Sequence, residues 1–127
     1  MVILSYILVN CLQLFYKYIV PTSAPIGLSA ISQSSTSLTL TWAPPSMESQ
    51  NGIINSYSVN VTNSDTGESV FLSSTEESIT VEQLSPFTTY LCSVAAQTVI
   101  GMGPYTSPLT VTTDPDGNSD HVYSANH

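Results

Sequence analysis

The sequence predicts an all-β chain folded as a seven-stranded antiparallel Greek-key sandwich. Short runs with apolar residues at every second position, separated by turn signals, carry the first part of that expectation. The absence of an amphipathic helical period of useful length carries the second. The third observation is one stretch, Leu84-Ser85-Pro86-Phe87-Thr88-Thr89-Tyr90-Leu91-Cys92-Ser93-Val94-Ala95-Ala96-Gln97. Pro86 fixes a backbone angle and removes a donor, which suits a bend between strands, and Leu84 plugs one side of that bend. From the bend onward Tyr90, Cys92, Val94 and Ala96 share the buried face of a long strand. A Tyr at the start of such a strand, its hydroxyl meeting upstream backbone, makes the tyrosine corner of immunoglobulin-like sandwiches.

The other strands follow in order. Leu28 and Ala30 alternate, and residues 32–37 make a polar turn. Leu38, Leu40 and Trp42 alternate with Thr39 and Thr41 until Pro44-Pro45 ends the run. A loop through Met47 reaches the turn signal Asn51-Gly52, after which Tyr57, Val59 and Val61 form the next buried face. Asp65-Thr66-Gly67 turns into a strand near Val70 to Leu72, and Ile79 with Val81 leads back to the corner. Gly101, Gly103 and Pro104 are read as a loop, and Leu109 with Val111 as the last strand.

Charge excludes several functions. The chain has 127 residues and a formal net charge of -8, and Lys17 is its only basic residue. Nucleic acids and heparin-like polyanions need clustered cations, so neither is an expected partner. The two histidines, His121 and His127, lie in a polar tail, which leaves no Ser–His or Cys–His pair for the sandwich. Without Lys or Arg there is no cationic clamp for phosphate or an oxyanion. Glu76, Glu77 and Glu82 read as a solvated acidic face rather than a hydrolytic carboxylate pair. The expectation is a non-enzyme that needs no cofactor.

Two cysteines, Cys11 and Cys92, are far apart in sequence, and the strand expected to face Cys92 offers Leu38, Leu40 and Trp42 instead of a partner thiol. Cys92 therefore reads as a small buried hydrophobe. Residues 1–20 are almost wholly apolar, about the length that crosses a bilayer. Three readings stay open for them: an export signal, a membrane anchor, or the edge of a gene model. Any membrane contact would run through this segment alone. Residues 24–114 form the domain, and 115–127 read as a disordered polar tail. Asp114, Asp116, Asn118 and Asp120 lack the glycine placement and closing Glu of a calcium loop and read as an acidic linker, so no metal site is expected. A weak interdomain site through Asp114 and Asp116 would need a following module.

The order and spacing of these pieces resemble the fibronectin type III domain. The resemblance rests on Leu28 with Ala30, on 38–45 with its Trp42 and Pro44-Pro45, and on Asn51-Gly52 leading to Tyr57-Ser58-Val59. It continues through 84–90, Gly101-Met102-Gly103-Pro104 and Thr112-Thr113. Trp42, Tyr57, Leu84, Pro86 and Tyr90 are its structural signature. One departure is Thr98, where the family commonly has Asn. The resemblance implies an extracellular, non-catalytic adhesion or protein-interaction module, secreted or in a cell-surface ectodomain, such as those of adhesion receptors and receptor-type phosphatases. The alternative is a passive spacer between domains, or an accessory module of a receptor kinase or phosphatase. No Arg-Gly-Asp is present, which excludes integrin binding by that tripeptide, and no Trp-Ser-x-Trp-Ser marks a cytokine receptor.

Two sets of candidate site residues follow. Asn60-Val61-Thr62 is a glycosylation acceptor whose Asn should face solvent, because its neighbours Val59 and Val61 face inward. The loops 44–53 and 99–105 fall at the same end of the sandwich and carry Met47, Ile53, Ile100, Met102 and Tyr105, more apolar surface than a solvated loop needs. Partners are therefore expected to be other proteins or neighbouring domains, with packing against a preceding domain as the plainer use of the same surface.

Overall fold

The computed structural model describes residues 20–32, 34–115 and 122–124. Period-two alternation builds its strands: β1 (Ile26–Ser32), β2 (Leu38–Ala43), β3 (Ser56–Asn63), β4 (Ser69–Ser74) and β5 (Ser78–Val81). They are followed by β6 (Thr89–Gln97), β7 (Met102–Tyr105), β8 (Leu109–Thr112) and β9 (Val122–Ser124). Each expected strand is present, and all the pairings are antiparallel. One sheet has the order β5-β2-β1-β9, and the other has the order β4-β3-β6-β7 with β8 also pairing with β6. Their inner faces meet in one core that includes Leu38, Leu40, Val59, Val61, Val94 and Val111. Trp42 packs edge-on against Tyr57, with ring centroids 5.4 Å apart and planes at 66°.

The corner forms as a packed unit. The Ser85 N–H donates to the Tyr90 hydroxyl at 2.9 Å. The Leu84 N–H donates to the Thr36 carbonyl at 2.9 Å, and the Leu84 side chain packs on the core. Thr113 ties the last strand to the same corner, its hydroxyl donating to the Ser85 carbonyl at 2.6 Å and accepting from the Thr88 N–H at 3.0 Å. Cys92 is free and fully buried, and burial pushes its thiol up to about 12. In β1, Gly27 at φ 68° sits where the register to β2 shifts, a bulge that an L side chain would strain.

The structure departs from the sequence reading at three places. The stretch read as a loop at Gly101-Pro104 is largely strand: β7 pairs with β6 at Ala95↔Tyr105 and Gln97↔Met102. β7 and β8 are two halves of one edge strand, the first against the end of β6 and the second against its start. Pro104 lacks a donor, and the pairing is irregular between those two β7 contacts. A four-residue helix, α1 (Met47–Gln50), forms in the loop after Pro44-Pro45, where no helix was expected. Within the span read as a disordered tail, Val122–Ser124 pair with β1. Asp114, read as the first residue of an acidic linker, is buried with its Oδ2 atom unpartnered. Asp116, Asn118 and Asp120 lie outside the described residues, as do residues 1–19 with Cys11 and Lys17, and His121 and His127.

Candidate partner surface

The end of the sandwich at which the chain arrives is organised by residues 20–23. Pro44-Pro45 ends β2, and α1 turns back with the Gln50 side-chain amide donating to the Pro45 carbonyl at 2.9 Å. Asn51 closes α1 in the left-handed region at φ 54°, where Asn is tolerated, and its amide donates to the Val20 carbonyl at 3.1 Å. The Thr22 N–H donates to the Ser49 carbonyl at 2.9 Å, and the Ser23 and Ser49 hydroxyls meet at 3.0 Å. On the other side the turn 98–101 closes when the Thr98 N–H donates to the Gly101 carbonyl at 3.0 Å. A Cβ at Gly101 would lie 3.7 Å from Val20 Cγ2, and one at Gly103 would lie 2.8 Å from both Pro21 Cβ and the Pro21 carbonyl oxygen. The arriving chain is therefore gripped between the loop of α1 and the start of β7.

Around that grip, four of the five loop residues expected at a partner surface are exposed. Met47 is 89% and Ile53 86% exposed, and Ile100 and Met102 lie open beside them in the second loop. Val99, at 83%, belongs with them and was not singled out from the sequence. Its signal was available: an outward position in a Val-Ile pair just past the last buried residue of β6. Tyr105 stands apart. It lies on β7, half-buried over Ala95, with its hydroxyl 2.8 Å from that of Ser58. Its ring is held by the sheet, so it braces the outer face rather than joining the loops. Among the described residues the surface has no cation, and Glu48 on α1 is the charged side chain within its two loops; residues 18–127 contain no Lys or Arg. Such a surface can exclude water from apolar contacts.

Asn60 lies on the outer face of β3, directly opposite Phe71 on β4 and Ser93 on β6. The Thr62 hydroxyl donates to the Asn60 Oδ1 atom at 3.0 Å, joining the first and third residues of the acceptor triplet. Phe71, which in sequence is one residue of an ordinary strand, is 65% exposed on the edge strand β4.

A cleft of about 520 Å³ opens between β4 and β5, the uncovered edges of the two sheets. Val70, Leu72, Ile79 and Val81 line it, with Glu68 and Glu82 among its walls. It is a gap between the two edges, with aliphatic and polar side chains both on its walls. Among the described residues no group of three or more His, Cys, Asp or Glu is placed to hold a metal ion, and no helix is long and apolar enough to cross a membrane.

Comparison with known proteins places this architecture. The family model of the fibronectin type III domain matches residues 23–112. Mouse (Mus musculus) protein sidekick-2 is 35% identical over 104 residues, covering 76% of this chain and 5% of that protein. The human (Homo sapiens) receptor-type tyrosine-protein phosphatase F is 36% identical over 101 residues, again 76% of this chain and 5% of the relative. The chain thus spans about one twentieth of the length of these relatives. Among solved structures, the FN5 domain of Drosophila Lar superposes with a TM-score of 0.61 at 28% identity, covering 76% of this chain and 99% of that one. Titin domains A168–A170 give 0.67 at 26% identity, over 75% of this chain and 32% of that one. With the tyrosine corner, the two sheets and the matched span in agreement, the chain belongs to the fibronectin type III family.

Proposed function

We propose that this domain is a non-catalytic protein-interaction module of a larger extracellular protein, and that it meets its partner through the loops around residues 20–23. The observation that carries this reading is the exposure of Met47, Ile53, Val99, Ile100 and Met102 at the one end where the chain is gripped. Isolated apolar residues on a surface are ordinary, but a set gathered at one end of a sandwich marks a contact surface. Relatives named as receptors support the extracellular setting, in which Asn60 would carry a glycan. The plainer occupant of the loops is a preceding domain, and the grip on Pro21 favours that second reading, a spacer that fixes orientation.

The test uses secreted protein, displayed as a multimer to raise avidity, and animal cell surfaces as the binding partner. Met47→Ser with Ile53→Ser should leave stability within about 1 kcal/mol, since both side chains are already in water, and should abolish cell binding. Binding that survives the double substitution rejects these loops as the contact surface. A wild-type multimer that binds no cell surface favours the spacer.

A further inference from the structure

We infer that Phe71 is the seat of the first sugar of a glycan on Asn60, an inference that rests on the extracellular reading above. Asn60 and Phe71 are a directly opposed cross-strand pair, so their Cβ atoms sit roughly 5 Å apart on the same outer face. The ring's own neighbours on that face, Ser69 and Ser73 on β4 and Ser58 and Thr62 on β3, are all small, and the bulkier Leu91 and Tyr105 lie on the far side of β3, so the ring stays open. An aromatic ring left 65% exposed in mid-strand is a large apolar surface that the fold itself does not use.

The acceptor is arranged for the bond. Thr62 donates to Asn60 Oδ1, which turns Nδ2 away from Thr62 and leaves it without a hydrogen bond. In the exporting compartment a lipid diphosphate-linked oligosaccharide is the donor. Its C1–O bond breaks, C1 bonds to Nδ2, the lipid diphosphate leaves with the electron pair, and one amide proton is lost to the transferase. The N-acetylglucosamine now fixed beside Phe71 has one pyranose face made of C–H groups. That face lies against the negative face of the ring, and the covalent tether makes even a weak contact populated. The sugar shields the apolar ring on the exposed edge strand β4, a place where an uncovered strand invites pairing with another chain.

The full chain behind an export signal, made in secreting cells and trimmed enzymatically to one N-acetylglucosamine, is compared with the same chain from bacteria, both as wild type and as Phe71→Ser. Attachment should raise the melting temperature of wild type by about 3–6 °C and that of Phe71→Ser by less than about 1 °C, the range expected for a contact of this size in a small domain. Sugar protons should show upfield ring-current shifts in wild type that vanish in Phe71→Ser. Equal glycan effects in both sequences, with no ring-current shift, overturn the seat while leaving the modification standing. Secreted protein with Asn60 bare overturns both, and mass spectrometry separates the two failures.

Discussion

A phenylalanine at φ 46° is costly, and Phe87 holds that angle with its ring 74% exposed. The corner imposes it: the Phe87 N–H donates to the Asp114 carbonyl at 3.0 Å, while Pro86 before it and Thr88 after it are fixed by their own contacts. The left-handed region costs an L-residue about 1–2 kcal/mol. Glycine avoids that strain but loses about 0.5–1 kcal/mol more chain entropy on folding. Little burial is lost with an exposed ring, so Phe87→Gly should stabilise the domain by about 0.5–1 kcal/mol, read as a higher urea midpoint with an unchanged slope. A lower midpoint would mean that the ring is packed in a way its exposure denies. The corner itself was legible, because Leu84, Pro86 and Tyr90 carry its chemistry in their side chains. The sign of φ at Phe87 was not, since an aromatic residue gives no local signal for it. Phe71 was hidden for a different reason: a phenylalanine in a strand normally reads as core, and only the register with Asn60 puts it outside.

At the scale of elements, β7 shows where sequence patterning stops. A Gly-Pro pair inside four residues has no alternation to read, and the strand exists because β6 offers its edge. The glycine has a reason that only the fold reveals. A Cβ at Gly103 would press within 2.8 Å of Pro21 backbone, which cannot swing aside as a long side chain can. Gly103→Ala should therefore cost about 1–2 kcal/mol, as overpacking does, and should speed hydrogen exchange at the Thr22 amide. Gly101→Ala is the control, since its Cβ would meet Val20 Cγ2 only at an ordinary 3.7 Å. If both alanines are equally tolerated, the arriving chain is not gripped and the spacer reading loses its support.

For the molecule as a whole, the inward-facing alternation made the sandwich readable, while the partner stayed unreadable because the residues that define the fold do not face it. Charge composition is the one global property that yields a prediction without knowing that partner. From residue 18 to residue 127 there is no Lys or Arg, and the formal net charge of the chain is -8. Side-chain ion pairs cannot form between 18 and 120, so each charge–charge contribution within the sandwich is repulsive. Screening can then act in one direction only. Raising sodium chloride from roughly 0.02 M to 0.3 M shortens the screening length from about 20 Å to under 8 Å and should raise the melting temperature at neutral pH by about 2–4 °C. Chloride is the right salt for this, because sulfate would add a surface-exclusion effect of its own. A melting temperature that falls with salt would require an attractive charge network, which a sandwich without cations has no means to build.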